Sequence, residues 1–200
     1  MDTVGHIIKT GGPSTDWVGP LMPRDIRTTD AEVMGNSLRA IIDSMGLMKL
    51  AAHRILGEQG IADAQPNQWY PLQAVVRSLE AVRVQVGPRT VRAIGQRITT
   101  YAIVPSHIDT FTRLMPSLDA TYRMNHRGTR GLGGYYYLGG TAASARMRCD
   151  NPYPCEFDQG LFEGFYERFT PPGSFRLRVV HEPGDCRAQG GESCIYQLAW

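Results

Sequence analysis

The sequence predicts an α+β fold, an N-terminal helical half packed on a C-terminal antiparallel sheet that carries one inserted helix. Three observations predict it. Apolar residues recur at three- and four-residue spacing from about Asp30 to Pro116. Beyond Pro116, Thr141–Cys149 and Phe175–Val179 alternate instead, as half-buried strands do, and Cys194–Trp200 reads as a final strand. Between these runs, Gly160–Phe169 presents a helical face of aromatic residues. Helices first, then strands, is the order of a segregated α+β domain.

Taken in order, residues 1–29 are rich in Gly, Pro, Thr and Asp, show no sustained period, and read as a flexible arm. Residues 30–200 read as one domain. Asp30 is placed to cap a helix bearing Val33, Leu38, Ile41, Ile42 and Met45. Leu47, Leu50, Ala51 and Ile55 form the face of a second helix after Gly46. Pro71 fits the first turn of a third, with Leu72, Val75, Val76, Leu79 and Val82 as its stripe. Gly87-Pro88 ends it, and Val91, Ile94, Ile98 and Ala102 make a fourth. Ile108, Phe111, Leu114 and Met115 make a fifth, which Pro116 is expected to stop. The glycines around Tyr135, Tyr136 and Tyr137 read as turn residues, because no P-loop lysine or dinucleotide fingerprint accompanies them.

Composition narrows the function. A formal charge of +2 with scattered arginines gives no basic stripe, so no nucleic-acid partner is expected. No apolar run approaches the ~18 residues of a membrane span, and no secretory signal opens the chain, so a cytoplasmic location is expected. No Gly-x-Ser-x-Gly elbow or His-Glu-x-x-His element is present, and Glu163 with Glu167 reads as a solvated helix face; a non-enzymatic role is expected.

The cysteines carry the chemistry. Cys186 and Cys194 close a glycine-rich loop, and Cys155 stands just before the aromatic helix. Two thiolates on one loop, a third from a distant segment and an acid or imidazole nearby make the sulfur-rich tetrahedron that zinc prefers. The same spacing also allows a Cys186–Cys194 disulfide or buried thiols.

The strings Asn151-Pro152-Tyr153-Pro154-Cys155-Glu156-Phe157, Gly160-Leu161-Phe162-Glu163-Gly164, Val179-Val180-His181-Glu182 and Cys186-Arg187-Ala188-Gln189-Gly190, followed by Cys194-Ile195-Tyr196, resemble the 4-vinyl reductase domain. That domain is a relative of the haem nitric-oxide-binding fold, found in bacteriochlorophyll-synthesis proteins and in the sensory part of phenol-responsive bacterial activators. The resemblance implies a structural zinc held by three cysteines and a glutamate beside an enclosed aromatic-ligand pocket. Cys155, Cys186 and Cys194 match the cysteines. The glutamate's position is Pro183 here, which leaves Glu182 first, His181 second and Cys149 third as the remaining donor. Trp69, Phe111, Tyr122 and Phe165 are candidate pocket walls, with His107 a polar handle. Haem is not expected, because the Tyr-x-Ser-x-Arg signature of the haem fold survives only as Ser144-Ala145-Arg146. The function implied is a sensory domain for a small hydrophobic ligand, signalling through a protein partner or a homodimer. The alternative is a carrier or reductase accessory for tetrapyrroles.

Overall fold

The computed structural model describes residues 30–171 and 173–200, so the arm at 1–29 lies outside the described residues. Helices dominate the first half and a four-stranded antiparallel sheet the second, which is the α+β layout expected. The chain runs β1 (Glu32–Met34), α1 (Asn36–Ser44), α2 (Lys49–Glu58), β2 (Trp69–Pro71), α3 (Leu72–Gln85), α4 (Pro88–Tyr101) and α5 (Phe111–Met124). It continues through β3 (His126–Arg127), β4 (Tyr135–Thr141), β5 (Ser144–Cys149), α6 (Cys155–Arg168), β6 (Arg178–His181) and β7 (Cys194–Ala199). The large sheet has the order β4-β5-β7-β6 and is antiparallel throughout. No described helix is long and apolar enough to cross a membrane.

The α3 stripe is buried along its whole length, from Leu72 to Val82, as its spacing requires. Pro88 opens α4, where a missing N–H is harmless. Several details differ from the sequence reading. Gly139 and Gly140, read as turn residues, lie within β4, and Phe175 and Leu177, read as strand, precede β6, with Phe175 exposed. Asp30 caps no helix; its carboxylate accepts the backbone N–H groups of Thr129 (2.9 Å) and Arg130 (2.7 Å). Those bonds hold it at a pKa of about 2, well below the ordinary aspartate value. Val33 is a strand residue, because β1 pairs with β2 on one side and β3 on the other in a second, small sheet. Leu47 and Leu50 are fully exposed, and the buried face of α2 is Ala52, Ile55 and Leu56. Pro116 sits inside α5. It forfeits one helical hydrogen bond, but buried Leu114, Met115, Leu118 and Tyr122 on either side carry the helix through.

α4 and α6 cross at the centre of the molecule, and glycines set their separation. A Cβ on Gly160 would lie 1.9 Å from the Arg92 carbonyl oxygen, and one on Gly164 would lie 2.3 Å from that of Gln96. Gly95 on α4 meets the Phe157 carbonyl at 2.2 Å in the same way. Gly160→Ala is therefore expected to destabilise by roughly 1–3 kcal/mol or more, since backbone must move to admit the methyl group. Gly57→Ala on α2 meets nothing within 4 Å. It should be neutral, or stabilising by up to about 1 kcal/mol through helix propensity. Urea melts of the two variants check both statements.

Candidate metal centre and adjoining cavity

Strand parity assembles the metal-type cluster. In β7, Cys194, Tyr196 and Leu198 point into the molecule, and Ile195 and Gln197 point out. β6 pairs with β7 so that His181 stands opposite Tyr196 and shares its inward face. The two rings stack at 4.8 Å. The next residue, Glu182, points the other way. Its carboxylate receives Arg146 Nε (2.8 Å) and Gln197 Nε2 (3.0 Å), which hold its pKa at about 2. The structure thus gathers Cys155, Cys186 and Cys194 with His181, all four donor atoms lying within 4.8 Å of one another. Glu182 is outside that group.

Cys155 is the first residue of α6, and its thiol pKa is raised, first by the hydrogen bond it makes to Cys194 and then by burial. Its Sγ lies 3.4 Å from that of Cys194 and 3.8 Å from that of Cys186, and the remaining Cys186–Cys194 pair is 4.0 Å apart. All four cysteines are free thiols. A zinc tetrahedron with Zn–S bonds near 2.3 Å has S···S edges of about 3.8 Å, so the three spacings bracket the edge of such a site. The fourth donor carries an independent sign. His181 Nε2 is buried and has no hydrogen-bond partner. A buried polar atom left unpaired is costly unless something is bound to it.

The Cys186–Cys194 loop is shaped for this. Gly190 adopts φ +87°, a conformation that side chains disfavour, after a short 3-10 turn at Arg187–Gln189. The Gly191 N–H donates to the Cys186 carbonyl, and Asp185 accepts the Ser193 N–H. The Arg187 N–H and its Nε both donate to the Cys194 sulfur at 3.4 Å. The Cys194 thiol is pushed toward its thiolate first by the hydrogen bond from Cys155 and then by the Arg187 charge. Cys149 is opposite Cys194 in the β5–β7 ladder but is not one of the four gathered donors. Burial raises its pKa far above the usual thiol value.

Arg187 is itself buried and forms a closed network. It donates to the Asn151 carbonyl and Oδ1, and it pairs with Asp158 on α6. Asp158 also accepts the Tyr135 hydroxyl at 2.7 Å and Asn151 Nδ2 at 3.2 Å. Burial raises the Asp158 carboxyl's pKa, opposed by Arg187 and by the Tyr135 hydroxyl.

Tyr135 forms part of the wall of a second feature, a cavity of about 40 Å³ between α4, α5 and α6. Ile98, Leu118, Leu161 and Phe165 supply its apolar walls, and Thr121, Tyr122, Asn125 and His126 its polar side. Such a volume holds two or three waters or a diatomic molecule in this conformation; a larger guest displaces side chains. His126 Nδ1 lies 2.8 Å from the Tyr122 carbonyl, which can only accept, so this nitrogen carries the proton. Nε2 then accepts from the Tyr153 hydroxyl at 2.6 Å. Burial lowers the His126 pKa to about 4, so the ring is neutral at physiological pH. Thr121 Oγ1 is buried without a partner.

Of the pocket candidates read from the sequence, Tyr122 and Phe165 line this cavity. Trp69 lies on β2 under the Arg127 guanidinium at 4.8 Å. Phe111 is buried at the start of α5 between Tyr166 and Trp200, and His107 is exposed in the loop before α5. His126 was not singled out from the sequence. Its only local signal is its place four residues after Tyr122, where the ring can return to that carbonyl.

No protein-family model matches the sequence, and a search among curated proteins gives no match. Solved structures do match. An H-NOX protein from Shewanella oneidensis in an Fe(II) ligation state superposes with a TM-score of 0.59 at 14% identity, covering 83% of this chain and 95% of that one. The solution structure of the S. oneidensis domain in its Fe(II)CO state gives 0.59 at 14%, covering 83% and 97%. An H-NOX from T. tengcongensis gives 0.55 at 16%, covering 82% and 96%. A further match comes from a study of haem distortion in the H-NOX family. The expectation that haem is unlikely therefore does not stand, because the chains that share this architecture are haem-binding ones. A lost signature motif is weak ground for exclusion when the surrounding scaffold is retained. At these identities the likeness is one of architecture: the described chain has the fold of the haem nitric-oxide-binding domains.

Proposed function

We propose that this chain is a ligand-sensing domain whose cavity beside α5 receives a small molecule and whose Cys3His cluster holds one structural zinc ion. The observation that carries the sensing reading is the cavity itself, with a neutral imidazole and an unpartnered threonine hydroxyl on its walls. Buried hydroxyls in packed cores are mostly hydrogen-bonded, so Thr121 Oγ1 on this wall is a group that a guest could satisfy. The unpartnered His181 nitrogen supports the metal reading in the same way.

His126 is the wall residue that would hold haem iron, although a guest of that size would first have to displace the side chains around the cavity of about 40 Å³. A metal-binding imidazole is typically neutral, with one ring nitrogen fixed to a carbonyl and the other presenting its lone pair. His126 has the first feature, but its Nε2 lone pair accepts the Tyr153 hydroxyl at 2.6 Å, and that hydroxyl would have to turn away before the nitrogen could bind iron. Its Nε2, once freed from Tyr153, would supply a neutral nitrogen donor to the iron. Incubating the purified protein with haemin tests this. A Soret band that His126→Ala removes is the expected result if haem is the guest; no band in either protein leaves the cavity to smaller molecules.

Zinc would be structural in this reading. Three thiolates place so much negative charge on the ion that it is a poor Lewis acid, and a fourth protein donor closes its shell. It would pin the start of α6 to the β6–β7 hairpin. Cys155, Cys186, Cys194 and His181 are the proposed ligands. The domain would act in the cytoplasm and pass its state on through a protein partner or a second copy of itself. Thr121→Val tests the polar side of the cavity. It removes an unpaired buried hydroxyl, so the variant should be as stable as the parent or up to about 2 kcal/mol more stable. A drop in stability would mean that the hydroxyl has a partner after all.

A further inference from the structure

We infer that Arg187 is a positioning residue that couples the metal cluster to the cavity, through Asp158 and Tyr135. The inference rests on the reading of Cys155, Cys186, Cys194 and His181 as a metal site. Its basis is one unbroken chain of hydrogen bonds. The cavity-lining Tyr135 hydroxyl donates to Asp158 Oδ1 at 2.7 Å. The other Asp158 oxygen receives the Arg187 guanidinium. The same guanidinium donates through Nε to the Cys194 sulfur at 3.4 Å. Arg187 is 4% exposed and Asp158 0%, so water screens neither end.

The chemistry makes the arrangement responsive. Three thiolates on a divalent ion leave one net negative charge, and hydrogen bonds to sulfur draw that charge off the metal. Arg187 supplies two of those bonds, one from its backbone and one from its side chain. Its planar fork can reach sulfur, carboxylate and carbonyl at once, which a lysine cannot do. Asp158 fixes the fork's orientation, and Tyr135 fixes Asp158. A guest that pushes the Tyr135 ring aside therefore loosens Asp158, turns Arg187 and changes the charge on Cys194. By linkage the metal must influence the cavity to the same degree.

Cobalt(II) substitution reads the cluster directly, because its sulfur-to-metal absorption reports the charge on the thiolates. Tyr135→Phe, which removes only the hydroxyl, is expected to shift that absorption and weaken cobalt binding by roughly twofold to thirtyfold, the usual span for residues that carry coupling. Arg187→Lys is expected to do the same more strongly, its retained charge failing to restore the spectrum. Gly57→Ala, on α2 and outside both the cavity and the cluster, should leave spectrum and affinity unchanged. If the parent protein binds cobalt but Tyr135→Phe matches Gly57→Ala, the coupling is wrong and the metal site stands. If the parent protein binds no cobalt, the metal reading falls and takes the coupling with it. Should Arg187→Lys fail to fold, the Tyr135→Phe comparison decides alone.

Discussion

Cys194→Ser is expected to lose the metal and with it a large part of the stability of the domain. The sulfur at this position lies 3.4 Å from Cys155 and 4.0 Å from Cys186, and it takes two hydrogen bonds from Arg187. A ligand held at a thousandfold excess over its dissociation constant stabilises the folded state by about 4 kcal/mol. For a domain of this size that corresponds to a fall of roughly 8–16 °C in Tm when the ion is lost. Chelation of the parent protein should lower Tm by a similar amount. Cys149→Ser is the matched control. It changes a buried thiol in the neighbouring strand but leaves the four donors in place, so about one zinc per chain should remain. Calorimetry with elemental analysis on the three proteins checks the pattern. A stable Cys194→Ser protein that keeps its zinc would contradict the ligand set.

The second large effect concerns pH. His126 is buried as a neutral ring, with its pKa lowered from 6.5 to about 4 by desolvation. The unfolded chain binds this proton near pH 6.5 and the folded chain only near pH 4. Stability from this group is therefore complete above pH 6.5 and is lost as pH falls toward 4. The loss is on the order of 3 kcal/mol at 1.36 kcal/mol per pKa unit. His126→Gln should flatten the stability profile across that window. Acid also releases metal from thiolates, so the informative quantity is the difference in slope between parent and variant. Asp30 and Glu182, lowered from 3.8 and 4.5 to about 2, lose their contributions as pH falls through that more acidic range and overlap only the acid end of the His126 window. Equal slopes in the two proteins would mean that His126 is solvated or charged in the fold.

Helix positions were largely legible in the sequence because burial follows the 3.6-residue period. The Leu72–Val82 stripe is a case in which spacing and burial coincide. Pro116 and the exposed Leu47 and Leu50 show where local signals give way. A proline inside a helix is tolerated when packing on both sides holds it, and Leu47, just before α2, and Leu50, in its first turn, face solvent while Ala52, Ile55 and Leu56 face the core. The small sheet of β1, β2 and β3 was invisible, since strands of two or three residues leave no alternation to detect. At the cysteine cluster, residue type was readable from spacing, and the neighbouring donor was not. Whether His181 or Glu182 faces the sulfurs depends on strand register, and register depends on pairing with β7, which one strand's sequence does not reveal. His126 and the buried Asp158–Arg187 pair escaped for a related reason. Their partners are as far as 29 residues away, so only the fold brings them together.

X-ray absorption at the zinc edge of the purified protein tests the central claim most directly. Three sulfur scatterers near 2.3 Å and one nitrogen near 2.0–2.1 Å are expected, from the cluster of Cys155, Cys186, Cys194 and His181. A shell of four sulfurs, an oxygen in place of the nitrogen, or protein that binds no zinc when it is supplied would contradict it.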